Sequence, residues 1–432
     1  MGEPTDALQR LRRANEAAVL GELRRSGALS RGELKARIGL SRTTLFAIVS
    51  DLLARKAIVE QPAADSELPR GRGRPALEIS LNAQGAELIG IDLQRNRIHV
   101  IIANCAHEVV GRYSAPLPLD SGPAERAAQA VAAVEELVRR EGISLAPVEG
   151  IGLGLPGFVQ NPASGDPDRK TPFAQHVATA LGSHFGVPVA TENNSRLAAL
   201  AEVTWGAARG RDNTVFLAWS HGVGGGLVVN GDLVHGAHGA AGEIGHTSCD
   251  PDGPLCHCGG RGCLEGVIRI PALLAACAER GVAAGDAAGL IALAAEGQPE
   301  VAAVLRDAAT TAGRVLAALA AQVDPECIVV YGEPAALDAL VLAPIREQLA
   351  VLSLPSAPRT ITVCGSALGA DAAALGGVAL LLHTTGQDLD ELLDRPVPGA
   401  AAREATGQNE PGPGRSRAEV AATGADDRET VR

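Results

Sequence analysis

The 432-residue chain has no apolar run of about 18 residues or more. Its first thirty residues scatter Arg and Glu where an export signal would need an apolar core. These absences argue against membrane-spanning and secreted classes, and the expectation is a soluble, cytoplasmic protein with no membrane partner. Eight cysteines are too few for a disulfide scaffold of this length, and four of them, Cys249, Cys256, Cys258 and Cys263, crowd into one short stretch. Such crowding points to a metal in a reducing compartment. No internal repeat at fixed spacing is visible. Positive charge is scarce, with a formal net charge of -12. It is also unevenly spread: residues 1–80 carry 14 Lys and Arg against 10 Asp and Glu, a surplus of four that leaves -16 on the rest. An acidic body repels nucleic acid, so only the N-terminal part is a candidate for binding it.

Core-forming material is plentiful. Hydrophobic residues make up 46% of the chain, enough for about three globular units at roughly 150 residues each. The first unit, expected over residues 1–82, begins with a helix from Asn15 to Arg25 that places Val19, Leu20 and Leu23 on one face and ends at Gly27. Ser30 followed by Glu33 is a capping-box signature for a second helix stopped by Gly39. Ser41 to Arg55 then repeats Leu45, Ile48, Val49 and Leu52 at the spacing of a single buried stripe. Three helices with a tight glycine-containing turn before the last give a helix-turn-helix pattern. Its exposed face offers Arg42, Thr43, Thr44, Phe46 and Ala47 to base edges. Two short strands, Ala57 to Gln61 and Ala76 to Leu81, flank a polar segment ending Arg70-Gly71-Arg72-Gly73-Arg74-Pro75. The expectation is a winged helix whose wing presents Arg72 and Arg74 to phosphate or the minor groove.

From Leu88 the pattern changes to three consecutive strands, a helix over about 123–140, the strand Gly150 to Leu155, a helix over about 173–185 and the strand Val187 to Thr191. This order resembles one lobe of the ribonuclease H-like, actin/hexokinase-like sugar-kinase fold. A second set of strands opens near Asn213 and closes with Cys327 to Tyr331 and Thr360 to Val363. We therefore expect two α/β lobes over residues 83–190 and 191–385, with a cleft between them and the last helix packing back on the first lobe. The segment 386–432, rich in Gly, Pro, Asp, Arg and Thr without apolar periodicity, reads as a disordered tail.

The richest chemistry lies between Gly239 and Glu265. His246, Cys256, Cys258 and Cys263 offer one imidazole and three thiolates, enough to close a tetrahedral structural zinc site with no water position. Gly259, Gly260 and Gly262 allow the sharp turns that bring three sulfurs together. Cys249 or His257 could replace one of these ligands.

This stretch, GAAGEIGH followed by CHCGGRGCLE, resembles the ROK (repressor, open reading frame, kinase) family. So do GLGLPGFV from Gly152 to Val159, the Glu192-Asn193-Asn194 run, HGVGGG from His221 to Gly226, and the closing unit from Gly365 to Leu381, all in the family's order. The likeness runs over about residues 14–383. Its members are sugar kinases, or sugar-responsive transcription factors that add an N-terminal winged helix-turn-helix; the head on this chain suggests the second group. The resemblance implies that Asn193, Asn194, Glu243, His246 and Glu265 hold sugar hydroxyls. Amides and carboxylates suit neighbouring hydroxyls, and His246 could give one ring nitrogen to zinc and the other to sugar.

Three departures from the family pattern bear on phosphoryl transfer. The kinases' catalytic base is an Asp where this chain has Asn194, whose neutral amide takes no proton. The family's first phosphate loop reads Asp-x-Gly-Gly-Thr, but here Asp92 is followed by Leu93, Gln94, Arg95 and Asn96, so side chains stand where backbone N–H groups would approach phosphate. The second glycine turn begins Ser220-His221 in place of Gly-Thr. The expectation is a kinase-inactive, sugar-responsive regulator, a repressor by resemblance. It would bind operator DNA as a homodimer or higher homo-oligomer and carry a structural zinc. The rivals are an ATP-dependent sugar kinase with a fused DNA-binding head, and a DNA-binding protein whose sugar cleft is vestigial and whose partner is another protein.

Overall fold

The computed structural model describes residues 12, 15–16, 18–23, 26–62, 77–82, 85–104, 108–146, 148–157, 172–352 and 361–383. The expected wing residues Arg72 and Arg74 and the expected tail lie outside the described residues. Among the described residues the first elements are helix α1, which runs through residues 18–23, then β1 (Leu29–Ser30), α2 (Arg31–Ile38), α3 (Arg42–Ala54), β2 (Ile58–Pro62) and β3 (Leu77–Leu81). Local chemistry sets these boundaries. Ser30 Oγ accepts from Glu33 N while Glu33 Oε2 accepts from Ser30 N, and Gly39 ends α2 in the left-handed region at φ 76°. Ser41 caps α3 through Thr44 N. Val19, Leu20 and Leu23 meet Leu34, Leu45, Ile48, Val49 and Leu52 in one small core, closed by Ile58 and Ile79. β2 and β3 pair as an antiparallel hairpin, and β1 adds a two-residue strand on the far side of β3.

The first five-stranded sheet comprises β4 (Ala86–Leu93), β5 (Arg97–Asn104), β6 (Val109–Pro116), β7 (Gly150–Leu155) and β8 (Val189–Asn193). Helix α4 (Pro123–Glu141) precedes β7 and α5 (Pro172–Phe185) precedes β8. Its spatial order is β6-β5-β4-β7-β8, antiparallel through β4 and parallel beyond it. Helix α6 (Asn194–Thr204) follows without a loop. The second sheet takes β9 (Thr214–Trp219), β10 (Val223–Val229) and β11 (Asp232–Leu233). After α7 (Leu264–Ile268), α8 (Ile270–Glu279), α9 (Ala287–Ala295) and α10 (Pro299–Val323) come β12 (Cys327–Tyr331), α11 (Ala343–Leu352), β13 (Thr362–Gly365) and α12 (Ala372–His383). Its order, β11-β10-β9-β12-β13, repeats the topology of the first sheet strand for strand.

The expected division at residue 190/191 falls inside β8, which pairs with β7 as far as Asn193; the first sheet therefore ends three residues later than that boundary. Helix α6 packs on β9 and β10, and α12 packs on β4, β5 and β7 and against α6, so this helix pair lies between the two sheets. Glycines make the approach possible. A Cβ on Gly90 would sit 1.9 Å from Ala374 O, one on Gly152 2.1 Å from Gly377 O, and one on Gly376 1.9 Å from Leu197 O. The carboxyl ends of β4 and β7 and the start of α6 thus converge, as ligand sites do in open α/β sheets. Among the described residues no single helix is long and apolar enough to cross a membrane.

Candidate functional site

Asp92, the penultimate residue of β4, is buried, and burial pushes its carboxyl up to about 6. Gln94 Nε2 donates to Asp92 Oδ2 at 2.7 Å and Asn194 Nδ2 to Oδ1 at 3.5 Å. The turn after β4 is clamped from behind by Arg126 on α4, whose guanidinium donates to the carbonyls of Gln94 and Arg95. Its backbone is therefore fixed in a hairpin, with Gln94 N bonded to Arg97 O.

Asn193 ends β8 and caps α6. Its Oδ1 accepts from Ser195 N at 2.8 Å and Arg196 N at 3.2 Å, and its Nδ2 donates to Gly157 O at 2.7 Å. Most of its polar capacity is committed to orienting Asn194 and the Gly157 turn. Behind it lies a charged cluster. Arg196, fully buried, donates to Glu192 Oε1 at 2.9 Å and to Gly239 O, and stands 3.6 Å from Glu243 Oε1. His235 Nε2 lies 2.7 Å from Glu192 Oε2. Glu243, half-buried, is thus held by a cation that is itself neutralised by Glu192.

The glycines at the start of β10, just past the β9–β10 turn, have a packing reason. A Cβ on Gly224 would meet Ser195 Oγ at 2.2 Å, one on Gly225 Gly242 O at 2.4 Å, and one on Gly226 Ala199 Cβ at 2.6 Å. They let β10 lie against α6 and against the segment that carries Glu243. Glu265 reaches the same turn, where its Oε1 accepts from Val223 N at 3.2 Å. At the turn's other end Ser220 Oγ donates to Glu333 Oε2 at 3.1 Å. Tyr331, on β12 just before it, is pushed up to about 12, first by burial and then by the negative charges of Asp92 and Glu333. Sequence reasoning missed Tyr331, Glu333 and Arg196; only the sheet topology brings them to the residues that it did identify.

The thiol cluster assembles. The donor atoms of His246, Cys256, Cys258 and Cys263 all lie within 4.8 Å of one another, and so could hold a metal ion. Cys258 and Cys263 sulfurs are 3.6 Å apart, and His246 Nδ1 is 3.6 Å from Cys256 Sγ. Gly262 carries φ 56°, and a Cβ there would lie 1.6 Å from Asp250 O. Cys249 is outside the cluster and donates to Gly262 O. His257 is exposed and forms a second possible group with His246 and Glu265.

The profile of the ROK family matches residues 88–384. The chain belongs to the ROK family. Among its relatives, the xylose repressor of Bacillus subtilis (strain 168) is 27% identical over 262 residues, covering 59% of this chain and 65% of the repressor. The chain therefore spans just under two thirds of that curated relative's length. A ROK family transcriptional regulator described as a homolog of the E. coli MLC protein matches at TM-score 0.67 and 25% identity, over 89% of this chain and 99% of its own. A ROK family glucokinase from Streptomyces griseus, solved with glucose and AMPPNP, matches at TM-score 0.58 and 27% identity, over 68% and 98%. These likenesses identify the two sheets as the lobes of the ribonuclease H-like, actin/hexokinase-like sugar-kinase fold.

Within the ROK portion the structure brings Asn194 to Asp92, and joins Glu243, His246 and Glu265 through the turns just described. Ahead of the ROK match, α3 exposes Arg42, Thr43, Phe46 and Ala47, whereas Thr44 is half-buried. The hydroxyls of Thr43 and Thr44 lie 2.9 and 2.8 Å from Ser41 Oγ. Phe46 is 62% exposed, and the Arg31 guanidinium lies 5.4 Å from its ring centre, a cation–π pair on the outer face of α3.

Proposed function

We propose that the protein is a kinase-inactive, sugar-responsive transcriptional repressor that binds operator DNA as a homodimer or higher homo-oligomer in the cytoplasm. The observation that carries this reading is the Asp92–Asn194 contact. An amide donates to the buried carboxylate at the position where the family's kinases keep a second carboxylate as base. Asn194 takes no proton from a sugar hydroxyl, while Glu243, His246 and Glu265 retain acceptors suited to a polyol. The likeness to the xylose repressor and to a ROK transcriptional regulator supports the same conclusion, and the glucokinase likeness supports the rival, a sugar kinase with a fused DNA-binding head.

The donor set fits a structural zinc. Zn–S bonds of about 2.3 Å in a tetrahedron set neighbouring sulfurs about 3.8 Å apart, close to the 3.6 Å between Cys258 and Cys263. Such an ion, held by His246, Cys256, Cys258 and Cys263, would supply cross-linking alone, because three thiolates and an imidazole leave no open position. His246 engages through Nδ1, which leaves Nε2 to meet a sugar hydroxyl, with Glu265 fixed beside it by Val223 N.

DNA is read by the first turns of α3, where Arg42 and Phe46 are exposed, and Arg72 and Arg74, which lie in the sequence between β2 and β3, would add phosphate contacts. Sugar changes operator affinity only through unequal affinity for two arrangements of the paired heads. The test is fluorescence anisotropy of the DNA upstream of the protein's own gene, titrated with full chain at fixed salt, with and without sugars that bind. A change of about tenfold or more with at least one sugar is expected, a coupling of ordinary size. Unchanged affinity with every bound sugar overturns the reading.

A further inference from the structure

Helix α3 commits one side to the head itself. Leu45, Ile48, Val49 and Leu52 are its buried stripe, and Asp51 pairs with Arg12 and Arg55. The opposite stripe, Thr43, Phe46, Ala47, Ser50 and Ala54, is exposed, with Arg42 exposed at the helix start. A single exposed aromatic residue is unremarkable on its own, but the Phe46 ring is held in place. The Arg31 guanidinium, on the first residue of α2, lies 5.4 Å from the ring centre, and Arg31 Nε donates to Glu60 Oε1 on β2 at 3.1 Å. Two neighbouring elements thus fix one face of a ring that remains 62% exposed. A side chain already oriented loses little freedom when it meets a partner.

What this stripe can read follows from its composition. In the major groove adenine is matched by Asn or Gln, and the amino group of cytosine by Asp or Glu. The stripe holds neither an amide nor a carboxylate. The Thr43 hydroxyl lies 2.9 Å from Ser41 Oγ, at the cap of the helix. Ser50 offers a hydroxyl, which both donates and accepts and so does not choose between bases. Arg42 suits guanine. Thymine alone presents carbon to the groove, its C5 methyl, and Phe46 and Ala47 are the adjacent apolar pair.

We propose that Phe46 selects thymine, packing its ring against the C5 methyl of one base per recognition helix, with Ala47 beside it and Arg31 as the residue that positions the ring. This rests on the operator-binding reading above and narrows it to one base and one atom. Burying a single methyl carbon at such a contact is worth about fourfold in affinity.

The experiment uses the zinc-loaded full chain and a pool of random-sequence duplexes, from which the tightest binders are selected at fixed salt. Each thymine of the selected sequence is then replaced in turn by deoxyuridine, which lacks only the methyl. In the wild type at least one replacement should weaken binding about fourfold. The same replacement should cost Phe46→Ala less than about twofold, so that the methyl and the ring are coupled. Phe46→Leu keeps an apolar tip and should retain most of the methyl effect. Arg31→Ala should reduce that effect, a ratio that a lost phosphate contact would leave unmoved. Two results overturn this inference and leave the operator-binding reading standing: no thymine whose methyl matters, or a methyl effect of equal size in wild type and Phe46→Ala. So does a Phe46→Ala variant that selects the same sequences but loses its oligomeric state, since the ring would then meet a second copy of the chain. A pool from which nothing is enriched overturns both.

Discussion

Asn194 Nδ2 lies 3.5 Å from Asp92 Oδ1, so a neutral amide at the start of α6 faces a buried carboxylate at the end of β4. The pair joins the last residue stretch of one sheet strand to a helix that packs on the other sheet. Its protonation state is written into stability. Burial raises Asp92 from an ordinary 3.8 to about 6, so the folded chain holds this proton more tightly than the unfolded one. The stabilisation is complete below about pH 3.8 and is lost as pH rises through about 6. Asp92→Asn removes the ionisation. The variant should therefore gain on the wild type between pH 4.5 and pH 7.5, by at most about 3 kcal/mol in the ligand-free protein. Urea unfolding of both proteins at the two pH values measures this; parallel profiles would contradict the burial of a charge at Asp92.

The glycine contacts between α12 and the first sheet predict overpacking. Gly90→Ala places a Cβ 1.9 Å from Ala374 O, and Gly152→Ala places one 2.1 Å from Gly377 O. Backbone atoms cannot step aside as a side-chain tip does, so each variant should lose about 1–3 kcal/mol or more in urea unfolding. A variant of wild-type stability would mean that α12 does not lie on β4 and β7.

Zinc content separates ligand from bystander cysteines. Cys258→Ser should lower bound zinc, by elemental analysis, from one equivalent to under half, and weaken sugar binding about 10- to 100-fold through loss of His246 orientation. Cys249→Ser should keep its zinc, since Cys249 bonds Gly262 O outside the cluster. Equal zinc in both variants would contradict the ligand set.

On the DNA side, Arg42→Ala should cost about 1–3 kcal/mol of operator affinity and relax base preference at one position. Anisotropy titrations against operator and scrambled duplexes at matched salt give both quantities. A uniform loss on all sequences would instead make Arg42 a phosphate contact.

Much of this was legible in the sequence where chemistry is local. Ser30 with Glu33, Ser41, and the stripe of Leu45, Ile48, Val49 and Leu52 announce α2 and α3, and the crowded cysteines mark the stretch in which His246, Cys256, Cys258 and Cys263 come together. What was not legible depends on chain segments far apart. Helix α6 leaves no amphipathic signature in the sequence, because Leu197 to Ala201 are all buried and show no single apolar face. The end of the first sheet at Asn193 is likewise hidden, because it is set by pairing with β7. β1 is two residues long and exists only because β3 offers it an edge. Asn193 reads as a sugar ligand by resemblance, yet the structure uses its side chain first as a helix cap. Tyr331 and Glu333 carry no motif, and only the pairing of β12 with β9 brings them to the end of β9 and Ser220.

The central claim is that the cleft still grips a carbohydrate and no longer moves a phosphoryl group. Sugar-dependent ADP formation by the zinc-replete full chain, supplied with ATP and a sugar shown to bind by calorimetry, tests it most directly. The account predicts ADP release indistinguishable from the sugar-free background. Steady turnover that requires the sugar and vanishes in Asn194→Ala would contradict it.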